Sequence, residues 1–259
     1  MLALLVPLGR GAGTAPESPE TPTNLAQPDS ADLPAAAELF DAHIQATGGL
    51  EAYQRQQDRV IEGIYRLLAQ NETQIIRVYT QAPNNFRAEL EAPAMGTTIR
   101  CTNGEVAWGR NLSSKAFLLD ARERAVLLDN AFFLGEAGYD ERYTSLKTEG
   151  MAKIDGRDAY RVSFTTRTGV KGSVYFDVES KLLVARELAS EADPSQDAIV
   201  IVSDYQEFDG LKIPMMQRQR LTSQTEPSVE IEFRWVKTNT GDMPSFDPPA
   251  DLSDAGTDG

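Results

Sequence analysis

The sequence predicts a mainly β protein of the α+β class. We expect one strongly curved antiparallel half-barrel of about eleven strands, with a helical lid over its apolar concave face. Short runs of β-forming residues begin near residue 59 and are separated by Asn, Gly, Asp and Pro. The connections after residue 157 are too short for crossover helices, so neighbouring strands have to be antiparallel. Two segments of helical periodicity, 34–47 and 115–134, carry the apolar stripes that match such a sheet.

The first helix is predicted at residues 34–47. Asp32 can cap its N-terminus, and Gly48 and Gly49 follow the last apolar position. Its apolar stripe is expected to contain Leu39, Phe40, His43, Ile44 and Thr47. The second segment, 115–134, has Leu128, Phe132 and Phe133 at helical spacing, which predicts one or two helices.

The strand runs fall into two groups, five before the second helical segment and six after it. Alternation is clearest in the closing run, which predicts one apolar sheet face and one solvated face. The apolar face is expected to include Val229, Ile231, Phe233 and Trp235. Asp155-Gly156 and Asp209-Gly210 are typical of two-residue hairpin turns, in which Gly accepts a positive φ.

Three regions are expected along the chain. Residues 1–32 combine a possible truncated signal segment with a disordered linker, 33–241 form the half-barrel domain, and 242–259 form an acidic tail that packs in part near 244–249. The opening MLALLVPLGRGAGTA is similar to the later part of a secretory signal peptide but lacks its basic start. The alternative is a frayed N-terminus.

Composition excludes several classes of function. The formal net charge is −14, and no cluster of Lys and Arg is available to neutralise nucleic-acid phosphates. No apolar stretch approaches the roughly 20 residues that span a bilayer. With a single cysteine, Cys101, the chain can form no internal disulfide and no thiolate metal cluster.

The chain shows no catalytic constellation. His43 is the only histidine, and the motifs of serine hydrolases, zinc proteases and nucleotide-binding proteins do not occur. We expect His43 to be a helix-surface or lid-packing residue and Cys101 a small buried residue. The expected protein is therefore not an enzyme and has no catalytic residue, no cofactor and no metal. An enzyme that relies on carboxylates in the cavity is the remaining alternative.

A family resemblance adds to this interpretation. The stretches that carry it are ATGG (46–49), IDGRDAYRV (154–162), VYFDVESKLLV (174–184), SDYQEFDGLKIP (203–214) and the closing VKTNTGDMPSFDPPADL (236–252). Together they resemble the LolA and LolB superfamily of outer-membrane lipoprotein-sorting proteins, in particular its uncharacterised periplasmic members. The resemblance implies an eleven-stranded half-barrel with a helical lid, an apolar cavity for acyl chains and a place in the bacterial cell envelope.

The leading hypothesis is a monomeric periplasmic carrier that binds a lipid, an acyl chain or a lipidated protein. The cavity and lid residues expected to contact the ligand are Val162, Phe164, Ile231, Phe233, Leu128, Phe132 and Phe133. An envelope sensor or scaffold that binds a protein partner through the sheet, with no bound lipid, is the alternative. A hollow interior would favour the carrier, and a solid one the scaffold.

Overall fold

The computed structural model describes residues 33–93, 95–112, 115–189 and 197–252. They form four α-helices, one 3-10 helix and thirteen strands. The helices are α1 Ala36–Thr47, α2 Leu50–Gln54, α3 Ala121–Asn130 and α4 Tyr139–Arg142, with the 3-10 helix at Gly135–Gly138. The strands are β1 Asp58–Leu67, β2 Glu72–Gln81, β3 Asn85–Ala92, β4 Gly96–Thr102, β5 Ala107–Arg110, β6 Phe117–Leu118, β7 Tyr143–Ile154, β8 Arg157–Thr166, β9 Lys171–Asp177, β10 Leu183–Ala189, β11 Asp197–Phe208, β12 Leu211–Leu221 and β13 Val229–Thr238.

All thirteen strands belong to one antiparallel sheet. Their order is β6-β5-β4-β3-β2-β1-β13-β12-β11-β10-β9-β8-β7, so β6 and β7 are the two edges and the sheet does not close. Each half is a meander of consecutive hairpins. The two halves join where β1 pairs with β13, with Arg59 opposite Thr238 and Leu67 opposite Val229. The predicted mainly β half-barrel is confirmed.

The sheet has two strands more than the sequence predicts. The additional strands are β6, which lies inside the segment expected to be helical, and β7. Strand β6 is only two residues long and pairs with the end of β5. Strand β7 is an edge strand with mostly polar or half-buried side chains and a register shift near Gly150, so it lacks the apolar alternation that identifies the other strands.

The predicted direction of the Trp235 side chain is wrong, because β13 contains a bulge. Glu62 pairs with Trp235 and Gly63 with Phe233, so Arg234 is the additional residue. An extra residue moves every later side chain to the other face. The indole N–H of Trp235 accordingly donates to Glu62 at 3.1 Å on the polar face, whereas Phe233 remains on the apolar face.

The two helical segments form where they are expected, with different bounds. Helix α1 begins after Ala35, whose N–H donates to the Glu38 carboxylate at 3.2 Å, while the proposed Asp32 cap lies outside the described residues. All five residues of its predicted stripe are buried. The second segment holds β6, α3, the 3-10 helix and α4 instead of one long helix. Asp120 caps α3 by accepting from two backbone N–H groups.

The end of α1 packs on the turn between β11 and β12. Asp209 and Gly210 both have positive φ and join the pair Phe208 and Leu211, which confirms the predicted hairpin turn. Gly48 has a φ of 132° and lies so close to this turn that a Cβ on it would be 2.1 Å from the Gly210 carbonyl oxygen. The glycine after α1 therefore allows the helix to contact the sheet.

The outer face of the sheet is less polar than predicted. Strands β7 to β11 carry a buried apolar cluster on that face, made of Ile154, Ala159, Tyr175, Val184, Ala185, Ile199 and Ile201. Neighbouring residues of β11 belong to the concave side, so this strand is apolar on both faces. The expectation of one fully solvated face is wrong for this part of the sheet.

The segment after β13 packs against the other half of the sheet. The Phe246 carbonyl accepts from the Trp108 indole at 3.1 Å and from the Cys101 thiol at 3.5 Å. Cys101 is buried, as predicted, and burial raises the pKa of its thiol to about 12. Among the described residues, no helix is both long enough and apolar enough to cross a membrane.

We predict that Gly48→Ala destabilises the protein by about 3 kcal/mol, because the new Cβ combines backbone strain with a collision against Gly210. Gly169→Ala is the matched control. Gly169 also has a positive φ, of 86°, but nothing lies within 4 Å of the place that a Cβ would occupy, so strain alone should cost about 1 to 2 kcal/mol. Urea denaturation of both variants measures the difference, and equal losses would contradict the contact.

Candidate functional site

The concave face of the sheet carries two separate apolar clusters. The first apolar cluster lies on β1, β2, β3, β5, β12 and β13 and is covered by Leu127 and Ala131 from the α3 region. The second apolar cluster lies on β7 to β11 and is covered by Leu39 and Phe40 of α1. Each cluster therefore combines sheet residues with residues of the helical cover.

The predicted ligand-binding residues are divided between these clusters. Ile231 and Phe233 belong to the first, and Val162 and Phe164 to the second. Of the predicted lid residues, Phe133 is buried, whereas Leu128 and Phe132 are half-buried. The structure does not bring all seven residues around one cavity, and their contact with a ligand stays a prediction.

A buried cluster of four charged residues holds the cover to the sheet. This ion-pair cluster consists of Asp129 at the end of α3, Glu136 in the 3-10 helix, Arg142 in α4 and Arg186 in β10. Arg142 lies 2.9 Å from Asp129 and 3.1 Å from Glu136. Arg186 lies 2.6 Å from Asp129 and 3.0 Å from Glu136. Each arginine thus bridges both carboxylates.

The ion-pair cluster is neutral as a whole. Burial opposes the ionisation of Asp129, but Arg142 and Arg186 outweigh that effect and hold the pKa of Asp129 below its usual value. The Arg186 guanidinium also lies 4.7 Å from the centre of the Phe164 ring. Two cations and two anions at these distances compensate one another, so the four groups remain charged without contact with solvent.

The sequence contains only a weak signal for this cluster. Arg186 directly follows the apolar residues Val184 and Ala185, and a charged residue is seldom fully buried in such a strand. Its partners come from a segment whose helical bounds the sequence does not define. Since Asp129 and Glu136 lie 57 and 50 residues away along the chain, no local spacing identifies them.

A small pocket opens beside α1. This α1 pocket is bounded by the end of α1, by α2 and by strands β1, β11, β12 and β13. The space inside it that can hold the centre of a water molecule is about 20 Å³, which suits one or two ordered waters. Its lining residues are His43, Thr47, Tyr53, Arg59, Ile61, Tyr205, Leu211, Lys212, Ile213, Pro214, Gln217 and Phe233.

His43 is a buried residue of this pocket. It is 1% exposed, so the helix-surface alternative is wrong and lid packing is confirmed. Its Nδ1 accepts from the Leu183 N–H at 3.1 Å, which leaves the proton on Nε2. Within the described part of the chain, Nε2 has no hydrogen-bond partner. Burial lowers the pKa of His43 to about 4, so the ring is neutral at pH 7.

Arg59 is the buried cation of the pocket. It is 6% exposed, and its Nε and Nη2 donate to the Gln56 side-chain oxygen at 3.1 and 2.6 Å. The Phe133 ring lies under the guanidinium, with 5.4 Å between the central carbon and the ring centre. No Asp or Glu in the described ranges forms an ion pair with Arg59, unlike Arg142 and Arg186.

The pocket combines hydrogen-bond donors with an apolar wall. Thr47 and Tyr53 are joined by a hydroxyl contact of 2.8 Å, and Ile61, Ile213 and Phe233 provide the apolar side. Over the parts of the chain that the structure describes, no three His, Cys, Asp or Glu side chains are placed to hold a metal ion. The arrangement suits an amphiphilic molecule, with a polar end at the donors and an apolar end against the sheet.

Several solved structures have the same architecture as this protein. A LolA superfamily protein from Nitrosomonas europaea superposes with a TM-score of 0.56 at 13% identity, covering 82% of this chain and 96% of its own. A DUF1329 family protein from Desulfovibrio piger gives 0.56 at 12% identity, covering 80% and 95%.

A third structure agrees. A domain assigned to outer membrane lipoprotein sorting in Vibrio parahaemolyticus gives a TM-score of 0.54 at 11% identity, covering 80% of this chain and 94% of its own. This chain has a LolA-like fold. No protein-family model and no curated protein matches the sequence. At these identities, the LolA-like likeness concerns the fold alone, and the α1 pocket has to be judged on its own residues.

We predict that Glu136→Gln lowers the free energy of unfolding by about 3 kcal/mol. The substitution keeps the side-chain shape but leaves two buried guanidinium groups with one carboxylate. Asp158→Asn is the control, because it removes an exposed 2.7 Å pair with Lys153 and should cost less than about 1 kcal/mol. Chemical denaturation compares the two, and a Glu136→Gln loss no larger than the control's would count against the cluster.

The second prediction at this site concerns pH. The pKa of His43 is about 4 in the folded protein, against 6.5 as its ordinary value. Between these values only the unfolded chain binds the proton, so stability falls as the pH is lowered from 6.5 to 4. His43 should account for about 3 kcal/mol of that loss.

The variant His43→Asn isolates this effect. Its side-chain oxygen can replace Nδ1 as the acceptor for Leu183, and it does not titrate. Its unfolding free energy should therefore fall by about 3 kcal/mol less than that of the parent protein over the same pH range. Denaturation curves at several pH values between 7 and 4 measure this, and parallel pH profiles would refute it.

Proposed function

We propose that this protein binds an apolar chain between the concave face of its sheet and its helical cover. The observation that carries the proposal is that short helices, and not a second sheet, cover the apolar concave face in the described structure. Binding of this kind makes the protein a carrier for a lipid, an acyl chain or a lipidated protein. We place it in the bacterial cell envelope as part of the same proposal.

The cover contacts the sheet through apolar groups that an acyl chain can replace. Leu127 and Ala131 pack on the first apolar cluster, and Leu39 and Phe40 on the second. Exchange of one apolar contact for another conserves most of the buried area. Removal of the chain from water then stabilises the complex by about 0.8 kcal/mol for each CH₂ buried.

The α1 pocket is too small to hold an acyl chain in this structure. It has room for only one or two waters, so an acyl chain enters this pocket only when part of the cover moves. We propose that α3 is the part that moves, because it covers the first apolar cluster and its ten residues are too few for an isolated helix to be stable in water. Its position depends on the first apolar cluster and on Asp129 of the ion-pair cluster.

The fold supports the proposed class of ligand. One structural neighbour is a LolA superfamily protein and another is assigned to outer membrane lipoprotein sorting. This likeness favours binding over catalysis, and we propose no enzymatic activity. We also propose a periplasmic location and a monomeric state.

A second candidate function is the binding of a protein partner through the sheet. The small volume of the α1 pocket favours it, because a pocket of this size holds no acyl chain as it stands. In this case the ion-pair cluster would serve only to fix the cover. Binding of linear alcohols distinguishes the two functions, since only the carrier offers them a site.

We predict that linear alcohols bind and that affinity rises with chain length. Each added CH₂ should tighten the dissociation constant about fourfold from octanol to dodecanol, as expected for burial of 0.8 kcal/mol per CH₂. Displacement of the uncharged fluorescent probe N-phenyl-1-naphthylamine measures the constants. Hydrogen exchange should show faster exchange in α3 when dodecanol is bound.

The variant Ile213→Asn tests the site, because Ile213 lines the α1 pocket and is buried. It should weaken the binding of dodecanol at least tenfold, whereas Leu50→Asn at an exposed position should not. Circular dichroism confirms that both variants are folded. Failure of every alcohol to displace the probe would exclude the carrier and leave the scaffold.

A further inference from the structure

We infer that the α1 pocket binds the carboxylate of a long-chain fatty acid, with Arg59 as its counter-ion and the His43 Nε2–H as a hydrogen-bond donor. This inference rests on the proposed binding of an apolar chain and names the class of ligand. It separates the interior into an apolar part for the chain and a polar part for the head group.

The first argument is the charge of Arg59. A guanidinium group remains protonated in proteins, and its burial without an anion is costly. Arg59 is 6% exposed, and none of the acidic side chains in the described structure pairs with it. A ligand carboxylate would supply the missing negative charge.

The contacts that Arg59 does make position it without neutralising it. The Gln56 oxygen accepts from two of its nitrogens, and the Phe133 ring lies against the guanidinium. A neutral amide and an aromatic ring interact favourably with a cation but carry no net charge. The side chain is thus held in one orientation before any ligand binds.

The nearby carboxylates of the ion-pair cluster do not take this role. Glu136 is close enough to His43 to affect its pKa, yet its negative charge is balanced by Arg142 and Arg186 at 3.1 and 3.0 Å. The two buried arginines of that cluster are matched by two buried acids, whereas Arg59 is not matched. Among the buried arginines of the described structure, Arg59 is therefore the one without a carboxylate partner.

His43 provides the second argument. Its Nδ1 is occupied by the Leu183 N–H, so Nε2 carries the hydrogen and can only donate. This buried donor has no acceptor among the residues that the structure describes, which costs stability unless a ligand or water completes it. A carboxylate oxygen accepts from such a group more strongly than a neutral oxygen does.

The size and the wall of the pocket favour a fatty acid over larger anions. Room for one or two waters suits the two oxygens of a carboxylate, and a single guanidinium balances a single negative charge. The apolar wall is formed in part by Ile61 and Phe233, which both belong to the first apolar cluster. An alkyl chain that leaves the polar end therefore extends directly toward the sheet residues beneath α3.

The experiment compares dodecanoate with dodecanol at pH 7.5, using the same displacement assay with N-phenyl-1-naphthylamine. The parent protein should bind dodecanoate about 30-fold more tightly than dodecanol, as expected for a buried charge pair. In Arg59→Met this ratio should fall to about one. Arg66→Met is the matched control, because Arg66 lies on the same strand but pairs with Glu230 and Glu232 near the surface, and its ratio should stay at the parent value.

Two further variants cover the case in which Arg59→Met does not fold. Arg59→Lys retains the charge and should preserve part of the preference, and His43→Asn should reduce the ratio by about tenfold. A parent ratio near one, or an unchanged ratio in the folded Arg59 and His43 variants, would overturn the inference while the carrier function stands. If neither dodecanol nor dodecanoate binds, the carrier function and the inference both fail.

Discussion

The attachment of the helical cover depends on the ion-pair cluster. Its four residues come from α3, the 3-10 helix, α4 and β10, so one set of contacts orders three short cover segments against the sheet. None of these segments exceeds ten residues, and helices so short gain their stability from tertiary contacts. The apolar clusters bury nonpolar surface, whereas the ion-pair cluster fixes the position and orientation of the cover segments on the sheet. Without it, the concave face would have a cover of undefined position.

The buried arginines differ in their partners, and this difference identifies the proposed site. Arg142 and Arg186 are each close to two carboxylates, whereas Arg59 has only an amide and an aromatic ring. A chain selected only for stability would replace such an arginine with an apolar residue of similar size. Arg59 lies in the same pocket as His43, whose Nε2–H has no acceptor among the described residues. Local departures from folding rules of this kind are expected at functional sites.

Features set by residues close together in the sequence were predictable, and features set by contacts between distant residues were not. Local residue patterns predict the α1 stripe, the Asp209-Gly210 turn and eleven of the strands, because each of these features depends on residues close together in the sequence. Strand β7 has no alternation to detect, and the face of Trp235 depends on a bulge that no residue pattern indicates. The pairing of Arg186 with Asp129, and the lack of an acid paired with Arg59 in the described structure, depend on the tertiary structure and not on local sequence. Most of the fold was therefore accessible from the sequence, and most of the candidate site was not.

The strand order has a consequence for the synthesis of the protein. The first strand, β1, has the last strand, β13, as one of its two neighbours, and their paired residues lie more than 160 positions apart. While the chain is made from its N-terminus, β2 can cover only one side of β1. The other side keeps unpaired N–H and C=O groups until residue 238 has emerged. A half-made chain is thus an open template for strand addition, and a factor that shields this edge during synthesis would protect the protein from aggregation.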